Sequence, residues 1–201
     1  MRERISLNGR WQFAGAADEN WSEGKVPGCV QLDLMAQGKL PDLFYRLEEY
    51  KAYALEDQEW VYRREFDFPG GNYRQAELVF EGLDTLAEIY LNGHYLGSAA
   101  NMFIPHRYDV GDHLKLGANS LEVRLAAAKQ AGKARHETCA TPLIGGERVF
   151  LRKAQYSFGW DWAPRLVQTG IWRPVYLEFS GRARLANPFF QTKFANKKRA
   201  L

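Results

Sequence analysis

Within this 201-residue chain, Trp160 and Trp162 flank Asp161, and Trp172 follows shortly after. Aromatic faces stack on the C–H faces of sugar rings. An ionised carboxylate, with two oxygens and about four lone-pair sites, can accept hydrogen bonds from two neighbouring hydroxyls. Trp160, Asp161 and Trp162 are therefore candidate substrate-binding residues for a carbohydrate. In a strand the two tryptophans would share one face and Asp161 would take the other; in a loop ended by Pro164 all three would converge. The competing reading packs both tryptophans into the core, since Trp is usually highly buried. Gly159 and Pro164 punctuate the run as a loop, and an unpaired carboxylate is costly to bury. Asp161 is thus expected to be at least partly exposed, on a loop at one end or edge of the fold, pointing away from the core.

Other chemistry is sparse. There is no glycine-rich phosphate loop, no Gly-x-Ser-x-Gly elbow, no His-Glu-x-x-His and no cysteine pair at zinc spacing. His94, His106, His113 and His136 are scattered among turn-rich segments. No pair of acids sits in an apolar setting that would raise one for general-acid work. The expectation is no catalytic residue, no cofactor and no metal.

The elements that must position the tryptophans are mostly strands. Trp60–Phe68 alternates, with Trp60, Tyr62, Phe66 and Phe68 on one face and Arg63, Glu65 and Asp67 on the other; Arg64 breaks the pattern. Further strands are expected over 76–81, 85–91, 121–125, 148–152 and 175–179. Asn92-Gly93 between apolar runs predicts a hairpin whose two central residues have positive φ. One short helix is expected after Pro27-Gly28, from Val30 and Leu34, stopped at Gly38. Ala126–Gly132 could form a second. Short strands, many turns and few helices read as an all-β fold, an antiparallel β-sandwich, without deciding between immunoglobulin-like and jelly-roll forms.

Composition narrows the classes. An apolar fraction of 46% suits a packed core and argues against disorder. The net charge is +3, but residues 181–201 carry six basic residues and no acid, which leaves −3 on residues 1–180. The basic charge therefore describes no face of the domain, and nucleic acid is not an expected partner. No apolar run approaches the ~18–20 residues of a membrane span, and the first residues show no signal segment. Cys29 and Cys139 are read as reduced thiols of a cytoplasmic protein, a single disulfide being the alternative.

The run Arg152-Lys-Ala-Gln-Tyr-Ser-Phe-Gly-Trp-Asp-Trp-Ala-Pro-Arg165, with Gly170-Ile-Trp-Arg-Pro-Val175, resembles the end of the N-terminal domain of β-mannosidases in glycoside hydrolase family 2. The resemblance extends through Val26–Leu34, Pro41–Tyr45, Trp60–Phe66, Phe80–Thr85, Ile89–Gly93 and Asn101–Pro105, covering roughly residues 5–180. It implies a jelly-roll-like, galactose-binding-domain-like sandwich over 1–180. Residues 181–201 would be a linker or, through Gln191–Lys193, the first strand of an immunoglobulin-like domain. In the family a (β/α)₈ barrel follows, which alone needs roughly 250 residues, and it carries the two catalytic glutamates. The resemblance implies that the Trp160-Asp161-Trp162 loop reaches into that barrel and helps hold a terminal β-mannoside. Where the family commonly has Gly, this chain has Ala163; if the position needed positive φ, alanine would cost about 1 kcal/mol. The alternatives are an autonomous carbohydrate-binding module, the equivalent domain of a β-galactosidase or β-glucuronidase, or a purely structural sandwich.

Overall fold

Alternating side chains make Trp60–Phe68 a strand with two faces, and its two edges are both taken by neighbours. A computed structural model of the chain describes residues 3–141, 143–181 and 188–194. The strands in chain order are β1 (Glu3–Ser6), β2 (Gly9–Gly15), β3 (Ser22–Val26), β4 (Trp60–Phe68), β5 (Gln75–Phe80), β6 (Ala87–Leu91), β7 (His94–Ala99), β8 (His106–Asp109), β9 (Gly117–Leu125), β10 (Phe158–Trp160), β11 (Ala163–Arg165) and β12 (Val175–Ser180). Six form one sheet in the order β3-β2-β4-β9-β6-β7, and four form a second in the order β1-β12-β5-β8. Every pairing between these strands is antiparallel.

The inner faces of the two sheets meet in one core. Trp11, Phe13, Tyr62, Ile89, Leu91, Leu121 and Val123 of the larger sheet pack with Leu78, Phe80, Val175 and Leu177 of the smaller. The rings of Phe68 and Phe179 stack across the two sheets at 5.3 Å. Burying each such ring contributes ~1.5–3 kcal/mol. Arg64, which breaks the alternation of β4, donates through Nη1 to the carbonyls of Asn8 and Arg10 at 3.1 and 2.8 Å and so anchors the start of β2.

Helix α1 (Val30–Ala36) and helix α2 (Ala128–Glu137) lie outside the sheets. Asn92 and Gly93 have φ of 53° and 81°, the turn that their sequence predicts between β6 and β7. The expected strand over 148–152 is absent: Gly146–Phe150 is a 3₁₀ turn entered through Gly145 and Gly146, both at positive φ. This turn lies hard against α2, where a Cβ on Gly132 would stand 2.5 Å from the Glu147 carbonyl oxygen. Its short apolar run thus serves packing beside a helix, with Leu151 buried and Val149 exposed. Residues 188–194 form no helix or strand. The rest of the basic tail lies outside the described residues.

Candidate functional site

Strands β10 and β11 form a small hairpin of their own, with Phe158 opposite Arg165 and Trp160 opposite Ala163. Asp161 and Trp162 are consequently the two residues of its turn. Of the three expected site residues, Trp160 is 51% and Trp162 69% exposed, and Asp161 is exposed. Trp160 is the last residue of β10, which puts all three side chains at one tip. Asp161 forms no ion pair or hydrogen bond among the described residues. Ala163 takes an ordinary strand conformation, since the only non-glycine described residues with positive φ are Arg46 and Asn92. The glycine that the backbone does need is Gly159, at φ 90°, where a Cβ would meet the Arg165 Cβ at 3.3 Å.

The hairpin is exposed at the tip and buried at its roots. Phe158 and Val167 pack with Ala128 and Leu151, and Leu166 packs with Leu43 and Ala52. Arg165 donates through Nε and Nη2 to the two carboxylate oxygens of Glu56, at 3.0 and 2.7 Å, and through Nη1 to the Phe158 carbonyl at 3.2 Å. A bidentate pair of this kind fixes orientation as well as distance. Glu56 is 4% exposed and belongs to a long 3₁₀ segment, Glu48–Asp57. From the same segment, Tyr53 lies under the Arg165 guanidinium at 5.8 Å. Burial, with the charge of Glu49 beside it, raises the Tyr53 phenol. On the far side, the Arg148 guanidinium lies over the Trp160 ring at 5.5 Å, and Tyr156 packs against Trp162 at 5.5 Å.

A second buried anchor holds the base of the loop. Lys153 Nζ donates to Asp84 Oδ1 at 2.5 Å and to the Gln168 carbonyl at 2.7 Å. Asp84 and Gly170 exchange both backbone hydrogen bonds, at 2.9 and 3.1 Å. Residues 153 and 168–170, the two ends of the loop that carries the hairpin, are therefore tied together through the buried Asp84–Lys153 pair and the Asp84 backbone. Thr85 donates its hydroxyl to the same Asp84 oxygen. Glu56, Lys153 and Asp84 were not legible in the sequence, because a charged residue gives no sign of being buried until its partner is known. Among the described residues no three His, Cys, Asp or Glu side chains converge as a metal cluster, and no helix is long and apolar enough to cross a membrane.

Two packed antiparallel sheets with a small separate hairpin define an antiparallel β-sandwich. The chain belongs to the glycosyl hydrolase 2 galactose-binding domain-like family, which matches residues 11–173. Among solved structures it is similar to a β-D-mannosidase from Dictyoglomus thermophilum, with 42% identity and a TM-score of 0.91, over 96% of this chain and 24% of that one. Beta-mannosidase B of Emericella nidulans is 37% identical over 86% of this chain and 22% of its own length. Beta-mannosidase of Capra hircus is 33% identical over 87% of this chain and 21% of its own. A β-D-glucuronidase of Dictyoglomus thermophilum shares the fold alone, at 17% identity and a TM-score of 0.59 over 90% of this chain and 28% of that one. The chain thus spans about a quarter of the length of the relatives it matches.

Proposed function

We propose that the chain serves as the N-terminal, non-catalytic domain of a retaining β-mannosidase and presents Trp160, Asp161 and Trp162 to the active site of a barrel domain. Retaining hydrolysis needs an acid/base and a nucleophile about 5–5.5 Å apart, and in this reading the barrel supplies both. The hairpin supplies binding: the indoles flank the terminal mannose, and Asp161 accepts from its hydroxyls. The partners are a terminal β-mannoside, the barrel and an intervening immunoglobulin-like domain, of which residues 181–201 would be the linker or first strand. The sandwich would be jelly-roll-like and the setting cytoplasmic, in keeping with two free cysteines.

The observation that carries this reading is the exposed tip. Two tryptophans and an unpaired carboxylate stand out from a base held by the Glu56–Arg165 and Asp84–Lys153 pairs. A core role for these aromatics would have put them inside. The test is a titration of the chain with methyl β-mannoside, followed by tryptophan fluorescence and paired with an assay of aryl β-mannoside hydrolysis. Binding on the order of millimolar, worth about −4 kcal/mol, is expected because half of the site belongs to another domain. It should be lost in Asp161→Asn, and hydrolysis should stay at background. Micromolar affinity lost in Asp161→Ala would favour an autonomous binding module. Turnover abolished by a substitution in this chain would overturn the non-catalytic assignment.

A further inference from the structure

The hairpin tip faces a second wall. It borders an open depression of about 340 Å³, whose other lining residues include Phe44 and Glu49, more than a hundred residues away in sequence. Phe44 is held outward, 68% exposed, between two fixed points. Its amide donates to Asp42 Oδ1 at 2.9 Å, and its neighbour Leu43 is fully buried in the cluster that also holds Leu166 at the root of the hairpin. Glu49 lies in the first turn of the 3₁₀ segment that clamps Arg165 through Glu56. Both walls therefore stand on a common base. The adjacent Glu48 is taken by Lys51 at 2.5 Å, whereas Glu49 has no hydrogen bond or ion pair among the described residues.

We infer that Phe44 and Glu49 complete the sugar site begun by the hairpin and restrict it to uncharged pyranosides, excluding uronates. This rests on the proposed reading of the hairpin as a sugar contact. Three aromatic side chains, Phe44, Trp160 and Trp162, surround the hollow, and two unpaired carboxylates, Asp161 and Glu49, offer acceptors to hydroxyls from different sides. No cation lines it. Arg165 is spent on Glu56 and the Phe158 carbonyl, Arg148 lies over the Trp160 ring, Arg46 over the Tyr45 ring, and Lys51 on Glu48. A neutral sugar donates to both acids, while a uronate brings a third negative charge against two with no cation in the described lining to offset it.

The test uses the isotope-labelled chain, with methyl β-mannoside and methyl β-glucuronide as probes and NMR shifts as the readout, which registers millimolar binding. The indole signals of Trp160 and Trp162 and the amides of Phe44 and Glu49 should move with one midpoint for the mannoside. The glucuronide should bind at least about tenfold more weakly. Glu49→Gln should shrink that preference by a factor of about three and Phe44→Ala should weaken both probes, while Glu48→Gln, whose carboxylate does not line the hollow, should change neither. Movement of the hairpin signals alone, or an unchanged preference in Glu49→Gln, overturns the second wall and leaves the hairpin reading standing. Still signals at the hairpin itself remove both.

Discussion

Replacing Lys153 by methionine tests whether the buried pair holds the loop that carries the hairpin. The Lys153 side chain is 0% and that of Asp84 5% exposed. Methionine keeps most of the volume but removes the ammonium, so Asp84 is left with the Thr85 hydroxyl and backbone contacts in a place that water does not reach. Breaking a buried pair from one side typically costs ~3–5 kcal/mol, a large part of the ~5–15 kcal/mol by which domains are stable. With a urea m-value of ~2 kcal/mol/M for a chain of this size, the midpoint should fall by about 1.5–2.5 M. The assay is urea unfolding followed by tryptophan fluorescence. Lys129→Met is the control: its ammonium meets Glu56 at 3.4 Å and Asp57 at 3.0 Å, is 27% exposed, and its loss should cost at most ~1 kcal/mol. The double variant Asp84→Leu, Lys153→Met should recover most of the loss, because no charge is left unpaired. A Lys153→Met protein within ~1 kcal/mol of wild type would refute the argument, as would a double variant weaker than the single one.

Three further outcomes follow from the fold. The Cys29 thiol is buried and pushed up to about 11 by desolvation, whereas Cys139 is half-buried; an alkylating reagent at pH 8 should label Cys139 and reach Cys29 only in denaturant, and equal rates for both would contradict the packing. Burial would raise the Glu178 carboxylate, but hydrogen bonds from Arg4 at 2.9 Å and Arg107 at 3.0 Å outweigh it and hold it below its ordinary value. Its contribution is therefore present above the unfolded value near 4.3 and is lost as pH falls through the lower folded one. Glu178→Gln should lose about 2 kcal/mol at pH 7 and show a shallower acid-side decline, and an unchanged acid slope in the melting curves would count against this. Gly93 has φ 81° with nothing within 4 Å of a built Cβ, so Gly93→Ala should cost about 1 kcal/mol from backbone strain alone, read by thermal melting; a loss several times larger would mean the site is crowded.

Features that depend on near neighbours were readable from the residues alone. Period-two alternation gave away β4, β6 and β9, because successive strand side chains point to opposite faces whatever the strand pairs with, and short strand-like runs marked β5 and β12. Asn92-Gly93 announced its own turn, since few other dipeptides accept two positive φ values. The Trp160-Asp161-Trp162 run and the motifs around it carried the family. Strands β1, β2, β3 and β8 were not legible, being short or holding too few apolar residues to show a period. Residues 148–152 hold a short apolar run yet form no strand, Gly146–Phe150 being a 3₁₀ turn, because two glycines and the surface of α2 outweighed local pattern. That the two tryptophans face outward came from the fold alone, for exposure is a property of what stands opposite a side chain. Only it joined Glu56 to Arg165, Asp84 to Lys153, and Phe44 and Glu49 to the hairpin. In each case residues more than sixty positions apart meet, and the charge or aromatic ring of one acquires its meaning from the partner that the fold delivers.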